Sequence, residues 1–323
     1  EEEGSGNSLE GNDRLTFLTY KNRDQSFILK PCFYFEANFK LTLFLLIYLK
    51  TMKTPITYYG GKQGMIKDIL QLIPQHNTYT ETFAGGAAVL FAKDPAQINV
   101  VNDLNGEIVN FYRTIITDYD ALKDEILKTL HSREQLQVAK FIHEHPDYFS
   151  RVKRAWAVWA LSKLSFSGNL SGSFSFAKNG NNKKTIALNN AKHAFGEDIK
   201  ALLEQCTIEQ DDALKVIKRY DTKDTFHFLD PPYIGFNMGH YSGMFDRDNM
   251  QALLDLLSQI EGKFMLTMYP DDMIRKYAND NSWIIHKIER VVSASNSVTT
   301  KRRKQEEWMV VNYHIENDHE KMD

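Results

Sequence analysis

The chain has 323 residues, 42% of them hydrophobic and 25% charged, enough to bury a core in one large domain or two smaller ones. Two distant cysteines, Cys32 and Cys206, exclude a disulfide framework and a paired-cysteine zinc module, and they suit a reducing cytoplasm. A formal net charge of −3 offers nucleic acid no overall attraction, so any such contact must come from a local excess of cations.

Residues 1–51 are unlike the rest, and we read them as an N-terminal extension or leader ahead of Met52, with an added packing element as the alternative. Their apolar run from Leu41 to Leu49 is too short to span a bilayer and too far from the start for an ordinary signal peptide, so no membrane role is expected. Next, Tyr58-Tyr59-Gly60-Gly61-Lys62 precedes a helical pattern through Met65, Ile69 and Ile73. Glycines before a helix let backbone approach an anionic or polar ligand. The spacing departs from that of a phosphate-binding loop, which argues against a nucleotide triphosphatase.

Thr78 to Phe83 is predicted as a strand that enters the small-residue turn Ala84-Gly85-Gly86-Ala87. A second strand, Ile98 to Asp103, ends in an acid some twenty residues later, where a carboxylate can accept from ribose hydroxyls. Helical patterns follow at 104–116, 120–130, 133–143 and 152–164, the last carrying Trp156 and Trp159, which we read as core. His143-Glu144-His145 lacks the i, i+4 histidines of a zinc helix, and no metal is expected. Residues 165–190 break the pattern and suggest a hairpin or long loop.

From Arg151 to Gly196 the sequence holds eight Lys and Arg and no Asp or Glu. A solvated face normally mixes signs, so this stretch points to an anionic partner. A second basic run is Lys301-Arg302-Arg303-Lys304. Strands and helices then alternate: strand 207–210 ending at Asp211 and Asp212, strand 226–229 ending at Asp230, helix 249–260, strand 264–268, helix 272–278. Strands 283–292 and 308–314 close the series and can pair antiparallel. Asp103, Asp212 and Asp230 each follow a strand, so all three are expected along one edge of an α/β sheet, where ligands bind. Asp230-Pro231-Pro232-Tyr233 is the sharpest feature of that edge. Two prolines stop the ladder and remove its donors, leaving acceptors and a ring.

The ordered set Tyr58 to Lys62, Phe83-Ala84-Gly85-Gly86, Asn102-Asp103, Asp212 and Asp230 to Tyr233 resembles the Dam-type family of S-adenosylmethionine-dependent DNA adenine methyltransferases (the D12, alpha-group class). Further similarity lies in Tyr220 to Thr225 and from Ser295-Asn296 to Glu307. The resemblance covers residues 54 to 314 and implies a Rossmann-like class I methyltransferase sheet, mostly parallel with an antiparallel final strand, plus a helical or hairpin DNA-recognition insertion. It divides the chain into the extension 1–51, cofactor-site part 52–118, insertion 119–196, second catalytic part 197–315 and acidic tail 316–323. It departs from the family at Tyr58, often Trp there, and in an insertion only loosely like that of GATC readers.

By this resemblance Tyr58, Lys62, Phe83, Gly85, Asp103, Asp212 and Asp230 line a site for S-adenosyl-L-methionine, with Lys62 and the turn amides as partners for its carboxylate. Asp230 and the Pro231 carbonyl would accept the two hydrogens of an adenine N6 amine, Pro232 would fix the turn, and Tyr233 would stack on the flipped base. Lys163, Lys178, Lys183, Lys184, Arg302 and Arg303 are the expected DNA contacts. Double-stranded DNA is the expected partner, a cognate restriction endonuclease a candidate second one, and the protein itself a monomer or weak dimer working on DNA in a bacterial or phage-infected cytoplasm. Methylation of cytosine N4 or of RNA adenine, and a silent DNA-binding homologue, are the rival readings. Cys206 lacks a basic partner in sequence and reads as structural.

Overall fold

Short runs rich in Val, Ile, Thr and Phe form the parallel strands at the centre of the computed structural model, as strands buried on both faces require. The structure describes residues 17–21, 27–31, 52–58, 60–177, 183–234, 245–291 and 304–314. Within residues 1–51, β1 (Phe17–Lys21) and β2 (Phe27–Pro31) pair as an antiparallel ribbon, Phe17 opposite Pro31. The Leu41 to Leu49 run lies outside the described residues, as do Lys178, Arg302 and Arg303. No described helix is long and apolar enough to cross a membrane.

Residues 52–323 form a second compact unit. In chain order it holds α1 (Ile66–Leu72), β3 (Thr78–Glu81), α2 (Ala88–Ala92), β4 (Ile98–Asn102), α3 (Gly106–Thr117), α4 (Tyr119–Lys128), α5 (Arg133–Glu144), α6 (Arg151–Leu164), α7 (Lys183–His193) and α8 (Glu197–Leu203). There follow β5 (Cys206–Glu209), α9 (Ala213–Tyr220), β6 (Thr225–Leu229), α10 (Arg247–Leu257), β7 (Lys263–Met268), α11 (Asp272–Asp280), β8 (Ile284–Val291) and β9 (Lys304–Val311). Many helices begin where the sequence supplies a cap. Asn105, Ser132, Ser150, Asp212, Asp246 and Asp271 each accept from a backbone N–H of the first turn.

The strand order is β5-β4-β3-β6-β7-β9-β8. Strands β3 to β7 run parallel, while β9 is antiparallel to both β7 and β8 and lies between them. This is the Rossmann-like methyltransferase sheet that the resemblance implies. The chain moves outward from β3 to β5 and then returns to place β6 on the other side of β3, so the switch point lies between β3 and β6. Ligands of open α/β sheets bind beyond the strand ends at such a point.

Helix α6 packs against α3, α4 and α5. Trp156 and Trp159 are core as expected, and the Trp156 Nε1–H donates to Thr129 Oγ1 at 2.8 Å. Residues 165–190 differ from the loop that the sequence suggests. Ser165 and Phe174 do form an antiparallel bridge, but Lys183–His193 is a full helix. Its apolar positions are too few for amphipathic spacing to reveal it: Leu188 is its buried residue.

Candidate active site

The ends of β3, β4 and β6 meet around one cavity of about 980 Å³, lined by Tyr58, Lys62, Phe83, Gly85, Asp103, Asp212, Asp230, Pro231, Pro232 and Tyr233. Every cofactor and catalytic residue expected from the sequence therefore faces the same space. Asn102 ties the strand ends together. Its side-chain N–H groups donate to the Thr82 and Asp211 carbonyls at 2.9 and 3.1 Å, and its side-chain oxygen accepts from the Asp211 amide at 2.9 Å.

The glycine turn is held from three sides. Gly85 N–H donates to Asp103 Oδ2 at 2.8 Å, the Tyr112 hydroxyl donates to the Gly85 carbonyl at 2.7 Å, and the Thr54 hydroxyl donates to the Gly86 carbonyl. Gly85 has φ +47°, and a Cβ there would lie 2.8 Å from Cδ1 of the Tyr58 ring. That contact leaves no room for a side chain between ring and turn. The other oxygen of Asp103 accepts from Asn105 N–H at 2.8 Å, and burial raises its pKa against these amide bonds. Asp212 caps α9, its Oδ1 accepting from Leu214 and Lys215 N–H at 3.0 and 3.2 Å.

Beneath the turn, Glu81 at the end of β3 accepts from the Tyr79 hydroxyl at 2.8 Å and from Leu90 N–H in α2 at 3.0 Å. It is a carboxylate at a helix N-terminus that lacks a side-chain cap of its own. Burial nevertheless pushes its pKa up from 4.5 to about 7. The folded protein thus holds this proton at pH values where the unfolded chain has lost it. Stability contributed at low pH is lost as pH rises through that window, by about 3 kcal/mol from this group. Glu81→Gln, which cannot titrate, should lose less stability than the parent between pH 5 and pH 7.5 in urea unfolding. Equal losses would rule this out.

The centre of the site is an ion cluster. Lys62, 3% exposed, sets its Nζ 2.6 Å from Asp230 Oδ1 and 3.5 Å from Glu307 Oε1 and donates to the Gly60 carbonyl at 2.9 Å. The Thr267 hydroxyl donates to Asp230 Oδ1 at 2.8 Å. Burial raises the Asp230 pKa, with Lys62 opposing the shift. The lysine expected to face a ligand carboxylate thus has its donors directed at Asp230, at Glu307 and at backbone. Tyr233 is 7% exposed; its hydroxyl donates to Glu307 Oε1, and its ring meets Tyr269 edge-on at 4.5 Å between centroids.

Sequence reasoning assigned no role to Glu81, Thr267, Tyr269 or Glu307. The available signal for Glu307 was an acid opening the apolar run Trp308 to Val311. Asp221, within the Tyr220 to Thr225 resemblance, lies at the opposite end of the sheet and accepts from Glu261 and Gly262 N–H at 2.9 and 2.8 Å. It is a structural acid.

The insertion's cations divide. Lys153 pairs with Glu125 at 2.7 Å and Arg154 with Glu107 from α3, so part of the apparent charge excess is neutralised by acids distant in sequence. Lys163 Nζ donates to Thr57 Oγ1 at 3.3 Å, and burial lowers its pKa to about 8. Lys183 and Lys184 are exposed in the first turn of α7. Among the described residues no group of His, Cys, Asp and Glu could hold a metal ion.

Similarity to known proteins agrees with this geometry. A type II methyltransferase of Lactococcus lactis subsp. cremoris, M1.LlaDCHI, is 28% identical over 275 residues, 79% of this chain and 93% of its own length. The retron Ec67 DNA adenine methylase of Escherichia coli is 25% identical over 217 residues, 64% of this chain and 72% of its own. A DNA N-6-adenine-methyltransferase of Escherichia phage P1 is 39% identical over a 56-residue stretch, 17% of this chain and 7% of its own. The family described as D12 class N6 adenine-specific DNA methyltransferase matches residues 58–294, from the aromatic before the paired glycines to beyond the last parallel strand, and this chain belongs to that family.

Proposed function

We propose that the protein moves the methyl group of S-adenosylmethionine to N6 of an adenine flipped out of double-stranded DNA, at sites of defined sequence. The observation that carries this reading is the shared cavity, in which the glycine turn of β3, the acid after β4 and the acceptor-only tip of β6 converge.

The cofactor fits the residues present. Gly85, packed against the Tyr58 ring, keeps that point of the turn free of a side chain, and Asp103, held by two amides, retains lone pairs for ribose hydroxyls. When bound, it supplies an electrophilic methyl group on a sulfonium. Asp230 and the Pro231 carbonyl accept the two amine hydrogens of the target, which draws nitrogen towards a tetrahedral shape and frees its lone pair. On taking the methyl group the nitrogen would have to lose a proton, and Asp230, whose proton affinity burial raises, would be its acceptor. Stacking of the base on Tyr233 requires the ring to be uncovered from Tyr269.

Gly85→Ala should weaken cofactor binding by roughly tenfold, because the added carbon displaces Tyr58 and strains a left-handed backbone. Calorimetry with S-adenosylmethionine checks this; unchanged affinity would separate the turn from the cofactor. Lys183 and Lys184 sit at a helix N-terminus, where cations are disfavoured. An anionic backbone docking there accounts for the placement. Neutralising both should lower duplex affinity and reduce the salt slope by about 2, and an unaltered slope would remove them from the interface. For the function itself, DNA treated with protein and labelled cofactor should yield N6-methyladenine on nucleoside digestion. Methylcytosine, or methylated RNA alone, would overturn the reading.

A further inference from the structure

Glu307 is the unexplained member of the ion cluster. It opens the buried half of β9, where Trp308, Met309, Val310 and Val311 are all apolar and no more than 1% exposed. Glu307 is itself only 3% exposed, and the core needs no acid there. Its Oε1 is shared. It accepts from the Tyr233 hydroxyl and stands 3.5 Å from Lys62 Nζ, which is in turn 2.6 Å from Asp230 and 4.8 Å from the centroid of the Tyr233 ring. One oxygen on the antiparallel strand therefore reaches both the catalytic acid, through Lys62, and the ring that follows it by three residues.

We propose that Glu307 is the positioning residue for the target base, setting the direction of the Tyr233 ring and the place of Lys62 so that ring and acceptors address one amine. The inference rests on the proposed adenine transfer and names what orients its two halves. A phenol bonded to a carboxylate makes a short, directional, charge-assisted bond. Moving χ1 of Tyr233 displaces that hydroxyl, which lies on the χ2 axis, so the bond fixes the direction in which the ring points. The charge on Glu307 adds a second effect. Two carboxylates share one lysine: Lys62 Nζ is 2.6 Å from Asp230 Oδ1 and is held towards Glu307 at 3.5 Å, and with the Thr267 hydroxyl also on Oδ1 the second oxygen of Asp230 is left for the amine. The cluster's surplus negative charge also complements the positive charge that would develop on the amine nitrogen during transfer.

Two substitutions act on the shared bond. Glu307→Gln, of equal size, removes the charge and with it the charge assistance of the hydroxyl bond; Tyr233→Phe keeps the charge and removes the bond. Full-length parent, both variants, the double variant and Glu307→Ala are assayed for total labelled methyl transferred in a single turnover to unmethylated genomic DNA. Cofactor affinity is measured by calorimetry in parallel. With saturating cofactor, Glu307→Ala should be about 100-fold slower, and Glu307→Gln and Tyr233→Phe about tenfold slower each. The double variant should fall well short of the roughly 100-fold product. Cofactor affinity should stay within about twofold of the parent throughout.

The proposal is overturned if either Glu307 variant transfers at the parental rate, if the two single losses multiply in the double variant, or if the loss lies wholly in cofactor affinity. Should Glu307→Ala fail to fold, the isosteric Gln variant and the double variant carry the test. Total transfer measures the role of Glu307 whichever base receives the methyl group. The digest of the parental product separately measures the adenine reading, so a methylcytosine product would refute that reading and leave the Glu307 test in force.

Discussion

Asp230→Ala should abolish methyl transfer, with a loss on the order of 10³-fold or more, while the protein remains folded. The size follows from the work that the proposed transfer asks of the side chain: it would accept an amine hydrogen and so free the lone pair that the purine ring delocalises, inside a cavity where such contacts are strong. The fold should tolerate the change because Lys62, on losing its partner at 2.6 Å, still has Glu307 at 3.5 Å and the Gly60 carbonyl at 2.9 Å. Single-turnover transfer with labelled cofactor, together with urea unfolding, measures both quantities. A variant that is folded and active to within tenfold would take Asp230 out of the mechanism.

Lys62→Ala should be the more damaging change, because it harms both folding and chemistry. It leaves two largely buried carboxylates, Asp230 and Glu307, without the cation they share. Removing one partner from a buried ion pair costs about 3–5 kcal/mol, so unfolding should begin at markedly lower urea than for Asp230→Ala. Burial already raises the Asp230 pKa and Lys62 opposes it, so deletion of the lysine pushes that pKa further up. A protonated Asp230 is a donor where an acceptor is needed. Transfer at neutral pH should fall at least about 100-fold. It should also recover in part as pH rises and the carboxyl ionises again, a trend absent from the Asp230→Ala variant. Equal stability of the two variants, or a flat pH response in Lys62→Ala, would refute this account of the cluster.

What the sequence made legible was local. Strand-to-turn transitions, glycine spacing and strand-end acids predict the parallel half of the sheet and the residues around its cavity, because each depends on a few neighbouring positions. Asp230 to Tyr233 and Gly85 are examples. Interactions that cross the fold were not legible. Glu107 and Arg154 meet from different helices, which turned an apparently unpaired cation into a neutralised one. Lys62 and Glu307 meet although most of the unit separates them in sequence, and neither residue's surroundings hint at the other. Helix α7 was hidden for another reason: with Leu188 alone buried, it presents no stripe of apolar residues to detect.

The position of β9 between β7 and β8 sets an order of assembly. Strand β8 pairs with β9 and not with β7, so it cannot join the sheet until β9 has arrived. Strand β9, which follows β3 to β8 in the chain, is therefore the one that joins β8 to the sheet, and it carries Glu307 into the cluster with Lys62. A chain synthesised only through β8 already carries the glycine turn, Lys62 and Asp230 but lacks Glu307, the third charge of the ion cluster.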